Sequence, residues 1–162
     1  MKFSKVCTLL LVGLTISPFL WAKGSTSTYT NLKNCKLVEE GRDWSVSKCP
    51  GYKAYQLYFY YADARDWLVI KKAGKVVIDL QNDIWNQDSG HFPEVPGPVE
   101  WRLKGKLVNA IIFRAIYSNG PKKKSKLFVV RLKGKKACLL GTTTSNKRAR
   151  KMADSRKTCS GQ

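Results

Sequence analysis

The stretch "CPGYKAYQLYFYYADARDWLVIKK", residues 49–72, decides the fold class of this chain. It contains two runs rich in aromatic and β-branched residues with a short turn between them, a pattern typical of a β-hairpin. Alternation divides the aromatic side chains of the first run between two faces, with Tyr55 and Phe59 on one face and Tyr58 and Tyr60 on the other. We therefore predict a central or near-central strand here.

The same composition recurs along most of the chain at short, regular spacing. Three similar turn motifs, "KKAGK" at 71–75 and "LKGK" at 103–106 and 132–135, place a glycine between strand-like segments, as tight hairpin connections require. Nine segments are predicted as strands: "KLVEE", "WSVSK", "YQLYFYYA", "DWLVIKK", "KVVIDL", "VEWRLKG", "LVNAIIFRAIYS", "KLFVVRLKG" and "KACLLG". Hairpin-linked strands in this number predict an antiparallel meander, folded as a curved sheet or an open barrel.

The strand-like pattern of the sequence gives way to a helical pattern after residue 144. Ser145 has the side chain of a helix N-cap, good helix formers follow it, and Ala149, Met152 and Ala153 recur at helical spacing. We expect one substantial helix with its small apolar stripe on the sheet and its basic side chains in solvent. The predicted fold class is α+β, a mainly antiparallel β meander with one C-terminal helix packed on it.

The first 22 residues have the organisation of a secretory signal peptide. Lys2 and Lys5 precede an uncharged apolar run, residues 6–16, and the small residue Ala22 follows. Because this run is too short to cross a bilayer comfortably, we expect cleavage after Ala22 and no retained anchor. The prediction is a signal peptide over residues 1–22 and a single domain over residues 23–162, located in the periplasm or secreted.

Four cysteines remain once Cys7 is removed with the signal peptide, and an even number in an oxidising compartment predicts a disulfide framework. Three connectivities are possible, and we choose sequence-local pairing, Cys35 with Cys49 and Cys138 with Cys159. The first bridge would cross-link a hairpin, and the second would tie a strand to the end of the helix. A metal site is the rival interpretation, but CxxC-like spacing and a set of histidines are both missing, so we expect no metal and no cofactor.

Positive charge is concentrated in the second part of the chain. The sequence has 30 Lys and Arg against 11 Asp and Glu, and without Lys2 and Lys5 the exported part keeps a net charge of +17. Residues 23–100 contain ten basic and ten acidic residues, whereas residues 101–162 contain 18 basic residues and a single acid, Asp154. A field of this size attracts anions, although a basic surface that only maintains solubility is the open alternative.

Two lysine clusters, which we place on neighbouring hairpin tips, predict an anion-binding surface. Its members are Lys122, Lys123, Lys124, Lys126, Lys133, Lys135 and Lys136. Lipid head groups, lipopolysaccharide phosphates, acidic glycans or an acidic protein would suit such a surface, so the expected partner is an anionic envelope component or an acidic protein. Nucleic acid is not expected, because no aromatic stacking platform lies among these lysines.

A second set of charged residues centres on Arg114. Strand alternation in "NAIIFRAIY" puts apolar side chains on both faces, so this segment should be a central strand, and a covered Arg114 would need a carboxylate partner. The predicted polar cluster consists of Asp63, Arg65, Glu100, Arg102, Arg114 and Asp154. Its role is open between an ion-pair network that fixes the helix to the sheet, which we favour, and a ligand site.

Four motifs follow one another along the chain: "CPGYKAYQLYFYYADAR", "VEWR", "AIIFR" and "NKRARKMAD", with a cysteine shortly before the last. In these motifs the chain resembles a family of small exported proteobacterial proteins without an assigned activity. The matching positions are Cys49, Gly51, Tyr52, Asp63, Arg65, Glu100, Trp101, Arg102, Arg114, Cys138, Ala149, Arg150, Ala153 and Asp154. The lysine clusters lie outside the pattern, so the resemblance implies a fold and an exported location but no ligand.

Residues suited to catalysis are scarce in this sequence. His91 is the only histidine, and no nucleophile, base or metal constellation accompanies it, so we predict no catalytic residues. The predicted function is a non-enzymatic exported binding domain whose basic C-terminal half engages an anionic envelope or extracellular partner. The alternative is a proteinaceous enzyme inhibitor or host-directed secreted factor that would use residues 81–98 as a protruding loop.

Overall fold

The computed structural model describes residues 24–88 and 91–159, and in these residues it contains eleven strands and two α-helices. The strands are β1 (Thr26–Thr30), β2 (Lys36–Glu40), β3 (Trp44–Tyr52), β4 (Tyr55–Ala62), β5 (Arg65–Lys72), β6 (Lys75–Asp79), β7 (Phe92–Glu94), β8 (Val99–Lys104), β9 (Leu107–Asn119), β10 (Lys122–Lys133) and β11 (Lys136–Thr143). The helices are α1 (Gln81–Trp85) and α2 (Asn146–Asp154). The predicted signal peptide, residues 1–22, lies outside the described residues.

The strands divide between two antiparallel sheets, a division that the sequence does not predict. Strands β2 to β6 pair in chain order as a five-stranded meander. The six-stranded sheet has the order β1-β8-β9-β10-β11, and the short strand β7 also pairs with β9. Neither sheet closes into a barrel, and the predicted α+β class with antiparallel pairing and a C-terminal helix is confirmed.

All nine predicted strands are present, and two further strands, β1 and β7, join the six-stranded sheet. The aromatic strand β4 occupies the middle of the five-stranded sheet, and β9 occupies the middle of the other, so both predictions of a central strand are confirmed. A strand with neighbours on both sides can be apolar on both faces, because its backbone groups are paired within the sheet.

The two sheets pack face to face around one apolar core. Its fully buried members include Leu57, Leu68, Ile70, Trp101, Phe113 and Phe128, contributed by both sheets. Phe113 and Phe128 are register partners on β9 and β10, and their rings stack with centroids 5.2 Å apart. Burial of this apolar surface, at roughly 25 cal/mol per Å², is the main force that fixes one sheet against the other.

Helix α2 covers the outer face of the six-stranded sheet, as the sequence predicts. The Ser145 hydroxyl accepts a hydrogen bond from the Arg148 amide at 3.4 Å and caps the helix. Ala149 and Ala153 are fully buried against Ile112 and Val129. Because alanine side chains are small, the helix lies close to the sheet.

Both predicted disulfides are present. Cys35–Cys49 connects the residue that precedes β2 to β3, and Cys138–Cys159 connects β11 to the segment that follows α2. The second bridge therefore anchors a C-terminal segment, residues 155–158, that has no secondary structure of its own.

Gly51 has a steric role at the end of β3. The register between β3 and β4 is irregular between Cys49 and Tyr52, and the backbone of β4 comes close to Gly51 there. A Cβ atom on Gly51 would overlap the backbone carbonyl oxygen of Tyr55. Since a backbone atom cannot escape by changing a rotamer, only glycine fits.

We predict that Gly51→Ala lowers the free energy of unfolding by roughly 1–3 kcal/mol through this overlap. Gly97→Ala is the matched control, because a Cβ atom at Gly97 meets no atom within 4 Å. Urea denaturation of both variants measures the difference. Equal stability of the two variants would contradict the steric explanation.

Candidate functional site

The predicted lysine clusters do not form one surface. Strand β10 runs from Lys122 to Lys133 and pairs with β9 on one side and β11 on the other. The β9–β10 and β10–β11 turns therefore lie at opposite ends of β10, roughly 36 Å apart at about 3.3 Å per residue. The prediction of neighbouring hairpin tips is wrong, because consecutive turns of an antiparallel meander alternate between the two ends of the sheet.

Four tight turns lie together at one end of the molecule, which we call the lysine end. They connect β3 to β4, β5 to β6, β8 to β9 and β10 to β11 at residues 53–54, 73–74, 105–106 and 134–135. The last three contain the similar motifs seen in the sequence. These motifs therefore mark one end of the fold, and that end contains turns from both sheets.

Hydrogen bonds between the sheets hold the lysine end together. The Tyr55 hydroxyl donates to the Gly134 carbonyl at 3.1 Å, and the Lys72 ammonium donates to the same oxygen at 2.9 Å. The Lys53 ammonium donates to the Lys106 carbonyl. Side chains of the five-stranded sheet are thus bonded to the turns of the six-stranded sheet.

A cleft of about 620 Å³ opens at the lysine end. Eight of its lining residues are basic, namely Lys53, Lys72, Lys104, Lys106, Arg131, Lys133, Arg156 and Lys157. Among the described residues that line it, none is Asp, Glu, His or Cys, and its apolar part is formed by Tyr55, Leu107, Val108 and Leu132. Of the predicted anion-binding residues only Lys133 lines this cleft, while Lys135 and Lys136 lie in and next to the same turn.

Arg131 is the buried cation of the cleft, with 4% of its surface exposed. Its two terminal nitrogens donate to the carbonyl oxygens of Ala153 and Ser155, each at 2.9 Å, so it caps the C-terminal end of α2. Its Nε has no hydrogen-bond partner among the described residues. Burial lowers the pKa of Arg131, and the nearby charge of Asp154 opposes that shift only in part.

The C-terminal segment forms one wall of the cleft through Ser155, Arg156, Lys157 and Thr158. The Cys138–Cys159 disulfide holds this segment at its far end, and the hydrogen bond from Arg131 to the Ser155 carbonyl holds it at its near end. Of the eight basic residues of the cleft, the sequence predicts only Lys133, and the seven that it misses are Lys53, Lys72, Lys104, Lys106, Arg131, Arg156 and Lys157. A signal for Arg131 was visible, since a single arginine interrupts the apolar run "LFVVRL".

We predict that replacing Cys138 and Cys159 by serine costs about 3 kcal/mol of stability and releases residues 155–159. Amide hydrogen exchange should accelerate in this segment, while the core strands β9 and β10 stay protected. The matched control is replacement of Cys35 and Cys49, which should leave exchange in residues 155–159 unchanged. Unchanged protection there after loss of Cys138–Cys159 would show that the disulfide does not hold this wall.

The structure brings together three members of the predicted polar cluster beneath α2. Arg102 bonds both oxygens of Asp154, at 3.1 and 2.5 Å, and one oxygen of Glu100 at 3.3 Å. Arg150 from the helix and Ser27 from β1 complete the network with hydrogen bonds to Glu100 at 2.9 and 2.6 Å. Glu100 and Arg102 are buried on β8, so the network joins helix and sheet, which is the role that we favour for it.

The other predicted members lie elsewhere. Arg65 forms an ion pair with Asp63 at 3.0 Å on the β4–β5 turn, and its guanidinium lies over the Trp85 ring. Arg114 donates to the Ser125 hydroxyl at 2.8 Å. Arg114 lies two residues, roughly 7 Å, along β9 from Ile112, the register partner of Glu100, and among the described residues it forms no hydrogen bond or ion pair with the network.

We predict that Arg102→Met costs about 3–5 kcal/mol, because two carboxylates beneath α2 would lose their shared cation. Arg114→Met is the matched control and should cost about 1 kcal/mol, the usual value for one hydrogen bond. Thermal and urea denaturation compare the two variants. A cost for Arg114→Met equal to that for Arg102→Met would contradict this division of the cluster.

The segment 81–98, predicted as a protruding or mobile loop, contains packed structure. Helix α1 buries Ile84, whose carbonyl accepts a hydrogen bond from Tyr117 at 2.8 Å, and β7 pairs with β9. His91 forms an ion pair with Asp88 at 3.3 Å when it is protonated. In the described residues no group of three or more His, Cys, Asp or Glu is arranged to hold a metal ion.

None of the helices within residues 24–88 and 91–159 is long and apolar enough to span a membrane. Comparison of the chain with protein-family models, curated proteins and solved structures gives no significant match. The resemblance to the exported proteobacterial family therefore stays a prediction, and the geometry of the cleft carries the functional argument.

Proposed function

We propose that this protein is an exported binding domain that engages an anionic partner through the cleft at the lysine end. The observation that carries the proposal is the convergence of eight basic side chains, from both sheets and the C-terminal segment, on a cleft without a lining carboxylate. A concave surface of one charge concentrates the field and raises the local concentration of anions.

The free lysines of the cleft are better suited to a ligand than those of the β9–β10 tip. Lys104, Lys106 and Lys133 are exposed, and among the described residues none of their ammonium groups forms a hydrogen bond or an ion pair. At the tip, Lys124 is paired with Asp88 at 3.4 Å, and Lys126 donates to the Gln87 carbonyl at 2.7 Å. Part of the positive field at the tip is therefore already compensated.

Two further observations support binding without catalysis in an oxidising compartment. The cleft lining has no histidine and no carboxylate for a general base, as far as the described residues show. The two disulfides are compatible with export, in agreement with the signal peptide predicted over residues 1–22. The inhibitor alternative has less support, because Ile84 and Val95 in the segment expected to protrude are buried in the core.

We predict that Lys104, Lys106 and Lys133 replaced together by serine weaken binding of inorganic polyphosphate by about tenfold or more. Polyphosphate serves as a soluble probe of the anion site, and its dissociation constant is measured by calorimetry at several salt concentrations. Binding by the parent protein should weaken as salt rises, because screening shortens the range of the field.

The matched control is the triple replacement of Lys122, Lys123 and Lys124 by serine, which removes the same charge from the opposite end of β10. This variant should lose only the smaller share of affinity that comes from net charge. An equal or greater loss from the tip variant, or polyphosphate binding that ignores salt, would overturn the assignment of the cleft as the anion site.

A further inference from the structure

Lysines that have no carboxylate in the same turns are concentrated at one end of the strands. The four turns of the lysine end and their flanking residues, 52–55, 71–76, 103–107 and 132–136, contain nine lysines and no acidic residue. The turns at the opposite end, at residues 41–43 and 63–64, carry Asp43 and Asp63 beside Arg42 and Arg65, and the β9–β10 turn adds Lys122, Lys123 and Lys124, of which Lys124 is paired with Asp88. The lysine end is therefore the end whose turns carry positive charge without carboxylates, and it attracts an anionic surface.

Two exposed aliphatic side chains lie among these lysines. Leu107, which follows the β8–β9 turn, is 74% exposed and is the most exposed large apolar side chain in the described chain. Val76, which follows the β5–β6 turn, is 57% exposed. A polyanion without apolar groups would leave both side chains in water, whereas the interface of a lipid bilayer would take them up.

We propose that the lysine end docks on the surface of an anionic phospholipid membrane. Head-group phosphates bind the lysines at the rim of the cleft, and Leu107 and Val76 enter the interface between head groups and acyl chains. This inference rests on the proposed function and names the anionic partner: a lipid surface offers phosphates to the lysines and an apolar layer to the exposed aliphatic residues.

Geometry favours docking by the whole end over docking by one hairpin. The hydrogen bonds from Tyr55 and Lys72 to Gly134, and from Lys53 to Lys106, keep turns of both sheets in one rigid group. The lysines therefore approach a membrane together on turns whose backbones have little conformational entropy left to lose. Each lysine near an anionic surface strengthens binding by about fivefold, so several acting together give stable attachment.

The first experiment measures binding to vesicles of phosphatidylcholine mixed with phosphatidylglycerol, with pure phosphatidylcholine vesicles as the neutral reference. We expect salt-sensitive binding to the mixed vesicles only. The Lys104, Lys106 and Lys133 triple variant should bind about tenfold or more weakly, and the Lys122, Lys123 and Lys124 triple variant should lose clearly less. Equal losses from the two variants would overturn the proposed orientation.

Leu107→Ser tests the apolar contribution and should weaken vesicle binding by about fivefold, with salt sensitivity retained. Leu37→Ser is the matched control, because Leu37 is 54% exposed on the edge strand β2, away from the lysine end. It should leave the affinity for vesicles unchanged. Equal affinities of Leu107→Ser and the parent protein would overturn membrane insertion.

A direct test of depth uses Leu107→Trp with phospholipids brominated in the acyl chains. On mixed vesicles that contain the brominated lipids, the tryptophan emission of this variant should be quenched more strongly than that of the parent protein. Trp44 provides an internal reference, because it is half-exposed at the opposite end of β3 from the lysine end. No additional quenching on vesicles that bind the protein would overturn the insertion of Leu107.

The combined results separate the two proposals. Binding of polyphosphate without binding of mixed vesicles would overturn the membrane inference and leave the cleft as an anion site, in which case an acidic protein or glycan is the partner to test. If the parent protein binds neither polyphosphate nor mixed vesicles, the proposed function is overturned as well.

Discussion

The alternation of turns in an antiparallel meander governs the arrangement of this protein. Each strand reverses the direction of the chain, so every second turn returns to the same end of its sheet. When the two sheets pack on a common core, the alternate turns of both become neighbours, and hydrogen bonds from Tyr55 and Lys72 to Gly134 join them. The cleft exists because these turns meet, and no single segment of the chain contains it.

The stability of the fold has to offset the repulsion among the lysines of the cleft. Like charges gathered at one end raise the energy of the compact state, and the apolar core and two disulfides oppose that effect. Arg131 combines a stabilising and a destabilising effect. Its hydrogen bonds to Ala153 and Ser155 hold the end of α2, while its buried charge has no bonded carboxylate. A bound anion would relieve this repulsion, which links ligand binding to stability.

In the charged network beneath α2, unlike in the cleft, positive and negative side chains are paired. Arg102 and Arg150 balance the charges of Glu100 and Asp154, and Glu100 and Arg102 are buried, so their contacts serve to position the helix on the sheet. That position matters to the cleft, because α2 leads directly into the C-terminal segment that forms one wall of it. The structural network and the candidate ligand site are thus different groups of residues joined by one helix.

Much of the local structure could be predicted from the sequence. The nine strands, the Ser145 cap, the central positions of β4 and β9 and the sequence-local disulfides all follow from periodicity, capping and cysteine spacing, which are properties of neighbouring residues. The predicted sites were less accurate for a physical reason. Arg114 was joined to Glu100 by residue type alone, whereas strand register pairs Glu100 with Ile112 and places Arg114 two residues, roughly 7 Å, further along β9, where it bonds Ser125.

By itself, the sequence determined the α+β class and the excess of positive charge in its second half, and it favoured the pairing of the cysteines that the structure contains. Only the tertiary structure decided where that charge acts. The lysines of residues 122–124 and 133–136 are close in the chain but lie at opposite ends of β10, and Lys53, Lys72 and Lys104 are distant in the chain but line one cleft. Strand direction and sheet packing set these distances, and neither is encoded in a short stretch of residues.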